Sequence, residues 1–311
     1  MKFLLQDSRD EREGFQEHDF VQRVSDLRKY YEMKGDPYKT ITATKYLLNF
    51  FDPKLFHADM ASYIPVGDVE FVQLYLKAVG GPETIPPFNV PECLMPHVYS
   101  GRVIKNIKTL NDAEDFLENV VHPAYGKRFF AKDFNKIKFR YNGFFEVVDN
   151  PKKEDDGYLT TVRKLTREHA PAYMIGKQVS TMINNIRSEW RVFVYEEKVV
   201  GCELYMGEPL AFPNADAVQA MVTVLQMHRA ASEKNGKPFE YPKTYSFDVA
   251  VVGANCKTYI IEMHDFFSLG LYGFADEKYP YMLSHAWFSI LSRYGVPYFN
   301  GQNNLYAEND E

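Results

Sequence analysis

The stretch SFDVAVVGANCKTYIIEMHDF, residues 246–266, restricts the fold more than any other part of the chain. Two apolar, β-branched runs flank a Gly-Ala-Asn turn, the pattern of two buried strands. The first run opens with Asp248, and the second closes with Glu262, Met263, His264 and Asp265. Side chains two apart share one face of a strand. Glu262 and His264 then share one face and Ile261 and Met263 the other, while Asp248, Ala250 and Val252 lie together. If the strands are adjacent and antiparallel, Asp248 stands beside Glu262. Two carboxylates that close repel, and burying either one unpaired is costly, so a cation must join them. Hard oxygen ligands point to Mg²⁺ or Mn²⁺. The competing reading is two solvated strand ends at a sheet edge, and spacing alone leaves the two level.

Composition narrows the function classes. The 311 residues suffice for two or three packed subdomains. A formal net charge of −6 argues against nucleic acid as the main partner. Cys93, Cys202 and Cys256 show no CxxC spacing, which fits a reducing cytosol better than a disulfide scaffold. The opening MKFLLQDSRD meets charge too early for a signal-peptide core, and no apolar run reaches transmembrane length. A cytoplasmic protein with no membrane partner is the expectation.

Along the chain, MKFLLQD reads as a strand and DFVQRVSDLRKYYEMKG as a helix ending at Gly35. IPVGDVEFVQLYLKAVGG places Asp68 as an N-cap before apolar residues on helical spacing. The Pro-rich GPETIPPFNVPECLMP is a connector. TLNDAEDFLENV is a helix capped by Asn111 or Asp112, and AYMIGKQVS a short strand. EWRVFVYEEKVVGCELYM is a hairpin about Glu-Glu-Lys, and NADAVQAMVTVLQMHRAASEKNG a helix capped by Asn214 or Asp216. YPYMLSHAWFSILSRYG is a last helix, followed by a polar tail. The order is an α/β unit, a basic β-rich unit and an antiparallel α+β unit.

Three further elements carry chemistry. In the hairpin, Glu189, Arg191, Phe193 and Tyr195 share a face, and an arginine inside a strand forks well onto phosphate or carboxylate. Read alone, an Arg191–Glu189 pair is the plainer account. GKRFFAKDFNKIKFR carries Lys127, Arg128, Lys132, Lys136, Lys138 and Arg140; Lys132 directly follows an apolar run, as a strand-borne phosphate ligand would, while the competing reading is a solvated basic face, the usual meaning of a charge run. MIGKQVS can present backbone groups to a base. The charged DNPKKEDDGYLTTVRK reads as a mobile lid over a triphosphate. GxSxG, HExxH, Walker A and GxGxxG motifs are absent.

The order of basic strand, hinge strand, Glu-x-Arg strand, Asp strand and Glu strand resembles the ATP-grasp superfamily. EWRVFV and IIEMHDFFSLGLYGF look most like a phage- and bacteria-associated ligase clade, and the likeness covers about residues 60 to 275. It implies an α/β (α+β) ATP-grasp fold with an amino-terminal α/β pre-ATP-grasp domain over residues 1–115 and an ATP-grasp domain over 116–300. The latter divides into a nucleotide-gripping part (116–180) and a metal-binding part (181–300), before a tail at 301–311.

By the same resemblance, Lys132 touches the α- and β-phosphates, and the segment with Met174, Lys177, Gln178 and Val179 holds adenine. Glu189 belongs to the nucleotide site, and Arg191 meets the γ-phosphate. Asp248, Glu262 and His264 bind Mg²⁺ or Mn²⁺, with His264 where the family usually has Asn and Asp265 a possible helper. The implied partners are ATP and a small-molecule or peptide carboxylate and amine, joined through an acyl phosphate in the cytoplasm, a host's if the chain is phage-encoded. A non-catalytic nucleotide-binding protein and an ATP-dependent phosphotransferase remain the alternatives. Substrate loops are expected near residues 57–70, 150–170 and 265–275.

Overall fold

The computed structural model describes residues 1–7, 19–49, 62–85, 88–100, 102–121, 128–133, 143–149, 162–236 and 241–296. Most of the expected lid, Lys127, Lys136, Lys138, Arg140, residues 57–61 of the first substrate loop and the polar tail lie outside the described residues. Among those described, no helix is long and apolar enough to cross a membrane.

The described residues form three sheets. Strands β1 (Lys2–Gln6), β2 (Lys39–Ala43) and β3 (Ile64–Val66) make a parallel sheet in the order β2-β1-β3. Parallel neighbours need crossovers, and α1 (Asp19–Lys34) supplies the first and α2 (Lys45–Asn49) lies in the second. The third helix, α3 (Val69–Ala78), starts at Asp68, whose Oδ1 accepts from Phe71 N at 2.8 Å. Asp68 N donates to Gln6 Oε1 at 2.6 Å and Gln6 Nε2 donates back to Asp68 Oδ2 at 3.1 Å, which locks the turn after β3 onto β1.

The second sheet holds β4 (Ile104–Ile107), β5 (Arg128–Asp133), β6 (Gly143–Val148), β7 (Val162–Thr166) and β8 (Lys177–Thr181), in the order β4-β8-β5-β6-β7. Helices α4 (Leu110–Phe116) and α5 (Ala170–Met174) cover one face, where Ile107, Phe116, Phe129, Phe145, Met174 and Val179 form the core. The expected boundary at residue 115 therefore falls inside α4, and β4 pairs with β8 rather than with the amino-terminal sheet. The cap of α4 is Thr109, with Asp112 as its reciprocal partner three residues on. AYMIGKQVS is not one strand: Pro171 favours a first helical turn, and the strand begins only after Gly176.

The third sheet is antiparallel, in the order β10-β9-β11-β12, with β9 (Ile186–Tyr195), β10 (Lys198–Gly207), β11 (Tyr245–Val252) and β12 (Lys257–His264). The β9–β10 turn places Glu196 and Glu197 at φ 46° and 61°, the left-handed pair a tight hairpin requires. Helix α6 (Ala215–Lys234), capped by Asn214, packs Met221 and Leu225 against Trp190, Val192, Val194 and Phe247. The opposite face of β9 carries Phe193, whose ring stacks on Phe274 at 4.1 Å.

That contact leads into the amino-terminal unit. Phe266, Phe274 and the last helix, α7 (Tyr279–Arg293), share one core with Leu4, Val72 and Leu76, and Trp287 packs on Tyr75 at 5.8 Å. The parallel sheet thus closes its apolar surface with the carboxyl-terminal part of the chain.

A Cβ at position 201 would run into the Phe274 ring, so Gly201 is what lets Phe274 lie on β10 and β9. Gly201→Val should cost about 1–3 kcal/mol, the usual penalty for overpacking, read as a lower denaturant midpoint. An unchanged midpoint would mean that the Phe193–Phe274 stack does not hold these parts together.

Candidate active site

The second and third sheets face each other across an open cleft of about 970 Å³, mouth included. Phe130, Lys132, Gln178 and Ser180 line it from one sheet, and Glu189, Tyr205, Asp248, Ile261 and Glu262 from the other. Met182, Ile183 and Ile186 border it where the chain passes between the sheets. Strand alternation explains the first wall: Phe129 and Ala131 enter the core, so Phe130 and Lys132 face outward. Lys132 lies opposite Gln178, which lies opposite Asn106. Gln178 Nε2 donates to Asn106 Oδ1 at 3.1 Å and to Asn89 Oδ1 at 2.8 Å, giving a polar row across the sheet.

On the facing wall the register brings Arg191, Asp248 and Glu262 side by side on β9, β11 and β12. Arg191 grips Asp248 with two hydrogen bonds, Nε to Oδ1 and Nη2 to Oδ2, both 2.9 Å. The pair is buried, with Arg191 5% and Asp248 2% exposed. Burial opposes both charges, yet their mutual attraction prevails: Asp248 titrates below the usual carboxylate range and Arg191 above its ordinary value. Glu262 forms an ion pair with Lys132 of the opposite sheet. Burial raises its pKa, but Lys132 and then His264 hold it well below the ordinary value. His264 Nε2 lies 3.2 Å from both Asp248 Oδ2 and Glu262 Oε1.

Asp248, Glu262 and His264 each offer one ligand atom, all within 4.8 Å of one another. Two carboxylate oxygens and an imidazole nitrogen suit a divalent ion such as Mn²⁺ or Mg²⁺ that completes its shell with water or phosphate oxygens. The residues present therefore fit a metal. Asp265 is not in this group: it is 1% exposed and turns to Arg293, 3.5 Å away. Nor does Arg191 pair with Glu189; Asp248 is its partner.

The adenine segment is divided by its own geometry. Gln178 faces the cleft, and Val179 borders it while packing in the core. Met174 is fully buried behind the sheet. Lys177 points to that far side too, donating to Tyr173 O at 2.7 Å and lying over the Tyr173 ring.

Several cleft residues carry no motif. Asp248 pairs with Glu262 but Val249 pairs with Ile260, so Ile261 is the extra residue of a bulge. The expected alternation of Ile261 with Met263 fails there: Ile260 and Met263 fill the core, and Ile261 joins Glu262 on the cleft. A second irregularity at Tyr205 turns both Tyr205 and Met206 to the cleft. Arg102 donates from Nη1 to Ile261 O at 2.6 Å and from Nη2 to Ser180 Oγ at 3.3 Å, while its buried Nε has no partner among the described residues. Sequence alternation cannot find a bulge, and Arg102 stands between the Pro-rich connector and β4 without neighbours that mark it.

Beyond β12 the chain turns through Phe266, Ser268 and Tyr272 at φ 61°, 54° and 53°. Arg191 Nη1 donates to Gly270 O at 3.2 Å, and Asp19 Oδ2 accepts from Leu271 N at 2.7 Å and Tyr272 N at 3.2 Å. Ser268 Oγ donates to Gly67 O at 2.7 Å. This turn sets Tyr272 against Tyr205, ring centres 5.1 Å apart, with the Arg191 guanidinium 5.1 Å from the Tyr272 ring.

Among family models, residues 125–282 match the ATP-grasp domain, R2K clade family 2. Among solved structures the chain is similar to D-cycloserine synthetase DcsG, 11% identical over 93% of this chain and 99% of that one, with a TM-score of 0.49. It is also similar to D-alanyl-alanine synthetase A of Vibrio cholerae O1 biovar eltor, 11% identical over 95% and 98%, with a TM-score of 0.44. The macrocyclase MdnC of Microcystis aeruginosa, bound to its precursor peptide MdnA, is 10% identical over 93% and 99%, with a TM-score of 0.41. No curated protein matches the sequence.

Glu189 is pushed up to about 7, first by burial and then by the charges of Asp248 and Glu262, against the pull of Arg102. Below the ordinary value of 4.5 both folded and unfolded chains hold this proton, so it costs nothing. As pH rises above that, the unfolded chain releases the proton first, and stability falls until the folded group also ionises near 7. In metal-free protein, Glu189→Gln should therefore raise the melting temperature at pH 8 and leave it unchanged at pH 4. An equal gain at both pH values would detach Glu189 from these carboxylates.

Proposed function

The chain belongs to the ATP-grasp superfamily, in family 2 of the R2K clade, and on that footing we propose that it is an ATP-dependent ligase that joins a carboxylate to an amine through an acyl phosphate. The observation that carries this reading is the cleft itself. Lys132 on one sheet reaches Glu262, Arg191 on the other reaches Asp248, and His264 lies between the two carboxylates. A divalent ion, Mg²⁺ or Mn²⁺, held by Asp248, Glu262 and His264 would neutralise the phosphate charge that builds during transfer.

The chain's own groups do the rest by position. Lys132 would exchange Glu262 for a phosphate oxygen on ATP binding, because a metal held by Asp248, Glu262 and His264 would neutralise that carboxylate in its place. Gln178 and Ser180 face the nucleotide, and Phe130, Met182, Ile183 and Ile186 give an apolar wall for the base. Arg191, fixed by Asp248 and Gly270 O, offers a cation that does not have to reorganise as the transferring phosphoryl group gains charge. The substrate carboxylate attacks the γ-phosphorus and ADP leaves. The amine nitrogen then attacks the acyl carbon, phosphate departs with one former carboxylate oxygen, and the nitrogen loses a proton. No protein nucleophile is required.

A second reading rests on His264. Its Nε2, 3.2 Å from both carboxylates, can hold them together by hydrogen bonding alone, which suits a nucleotide-binding protein without turnover. The test is ADP release with ATP, Mg²⁺ and a metabolite extract. Binding without release favours that second reading, and release with no amide in the product favours a phosphotransferase.

Two variants separate binding from chemistry. Lys132→Met should weaken ATP binding by about tenfold or more, the scale of one charge-assisted contact. Glu262→Gln should lower ADP release by roughly 10²-fold in the folded protein, with only a modest drop in melting temperature from the lost ion pair to Lys132, because Gln keeps the shape of the side chain. Calorimetry and an ADP assay on both variants check this, and wild-type turnover in Glu262→Gln would remove the metal assignment.

A further inference from the structure

Arg102 stands where the chain leaves one sheet and enters the other. Just upstream, Val98 forms a parallel bridge to Ile260 on β12, and Tyr99 packs edge-on against Tyr259 at 5.3 Å. Just downstream, Val103 N donates to Thr181 Oγ1 at 2.9 Å and Thr181 N donates to Val103 O at 3.0 Å, which ties that segment to β8. The side chain spans the same gap. Nη1 reaches Ile261 O on β12 at 2.6 Å, and Nη2 reaches Ser180 Oγ on β8 at 3.3 Å.

The two contacts differ in consequence. Ile261 is the extra residue of the bulge, and a bulge interrupts the ladder of backbone hydrogen bonds around it. Arg102 gives the Ile261 carbonyl a donor. The next residue is Glu262, so fixing the Ile261 carbonyl fixes the peptide from which the Glu262 side chain projects. The Ser180 contact holds the other sheet at a set distance, and that sheet carries Lys132, the partner of Glu262. A planar guanidinium with separate donors can hold both acceptors at once, whereas an ammonium is a single point of charge.

From this geometry we propose that Arg102 is a positioning residue of the metal and nucleotide site: it pins the bulge at Ile261 so that Glu262 points at Asp248 and His264, and it braces the two sheets against each other. The inference rests on the metal-binding reading given above for these three residues. Arg102 acts through Glu262 and is assigned no direct contact with substrate.

The test uses the full chain, Mn²⁺ as the probe and electron spin resonance to count free ion, with melting temperature measured alongside. Arg102→Met keeps the length and loses the donors. It should weaken Mn²⁺ binding by about 10- to 100-fold, the range seen when a group supporting a metal ligand is removed. Arg102→Lys should recover only part of that loss. A role confined to stability predicts a lower melting temperature with wild-type Mn²⁺ affinity in the folded protein, and that result would overturn the proposal. Should Arg102→Met not fold, Arg102→Lys and Ser180→Ala carry the test. Each should lower the affinity for Mn²⁺ with ATP, and unchanged affinity in both would overturn it. Failure of the wild-type chain to bind Mn²⁺ is a separate result, which would remove the metal site itself.

Discussion

The buried Arg191–Asp248 pair is the interaction on which the rest of the site depends. Removing one member of such a pair leaves an uncompensated charge in the interior, a loss of about 3–5 kcal/mol. The register of β9 against β11 is thereby coupled to chemistry, because a slip of one residue would send Arg191 into the core beneath α6. The same guanidinium holds Gly270 O, and Asp19 holds the next two backbone N–H groups. One cation thus connects the carboxylate site, the turn that carries Tyr272 and the first helix of the amino-terminal unit. The three-stranded parallel sheet, too small to close its own core, gains Phe266, Phe274 and α7 across that connection.

The cleft works because its charges are shared between two sheets. Lys132 belongs to one and Glu262 to the other, so the distance between the sheets and the electrostatics of the site change together. Two of the irregularities in the antiparallel sheet fall at this wall. The bulge at Ile261 puts two consecutive residues on the cleft, and the one at Tyr205 does the same with Met206. A strictly alternating strand would have buried one of each pair and left the wall with fewer groups to offer a ligand.

Much of this was legible in the sequence where local pattern decides. The β-branched runs flanking Gly253 predict the β11–β12 hairpin, and the Asp248–Glu262 pairing follows from it. Asp68, Asn214 and the Glu196–Glu197 turn occur where the helix and hairpin signals put them. Hidden features were those set by tertiary packing. Nothing in TLNDAEDF ranks Thr109 above Asn111 as a cap, and nothing in IIEMH announces that Ile261 is the extra residue. The reading of Met174 and Lys177 as a nucleotide surface failed to anticipate the helical turn after Pro171, which puts Met174 into the core. Asp265 looked like a ligand by proximity in sequence, but the turn after β12 sends it to Arg293.

The proposed reaction passes a carboxylate oxygen of the substrate to phosphate inside this cleft. It is tested most directly by incubating the protein with ATP, Mg²⁺ and a metabolite extract whose carboxylates carry ¹⁸O. Mass spectrometry of the inorganic phosphate then reads the outcome. An acyl-phosphate ligase releases phosphate bearing one ¹⁸O for each ADP formed. ADP formed together with phosphate free of label would contradict the account, since it means that water rather than a carboxylate had taken the phosphoryl group.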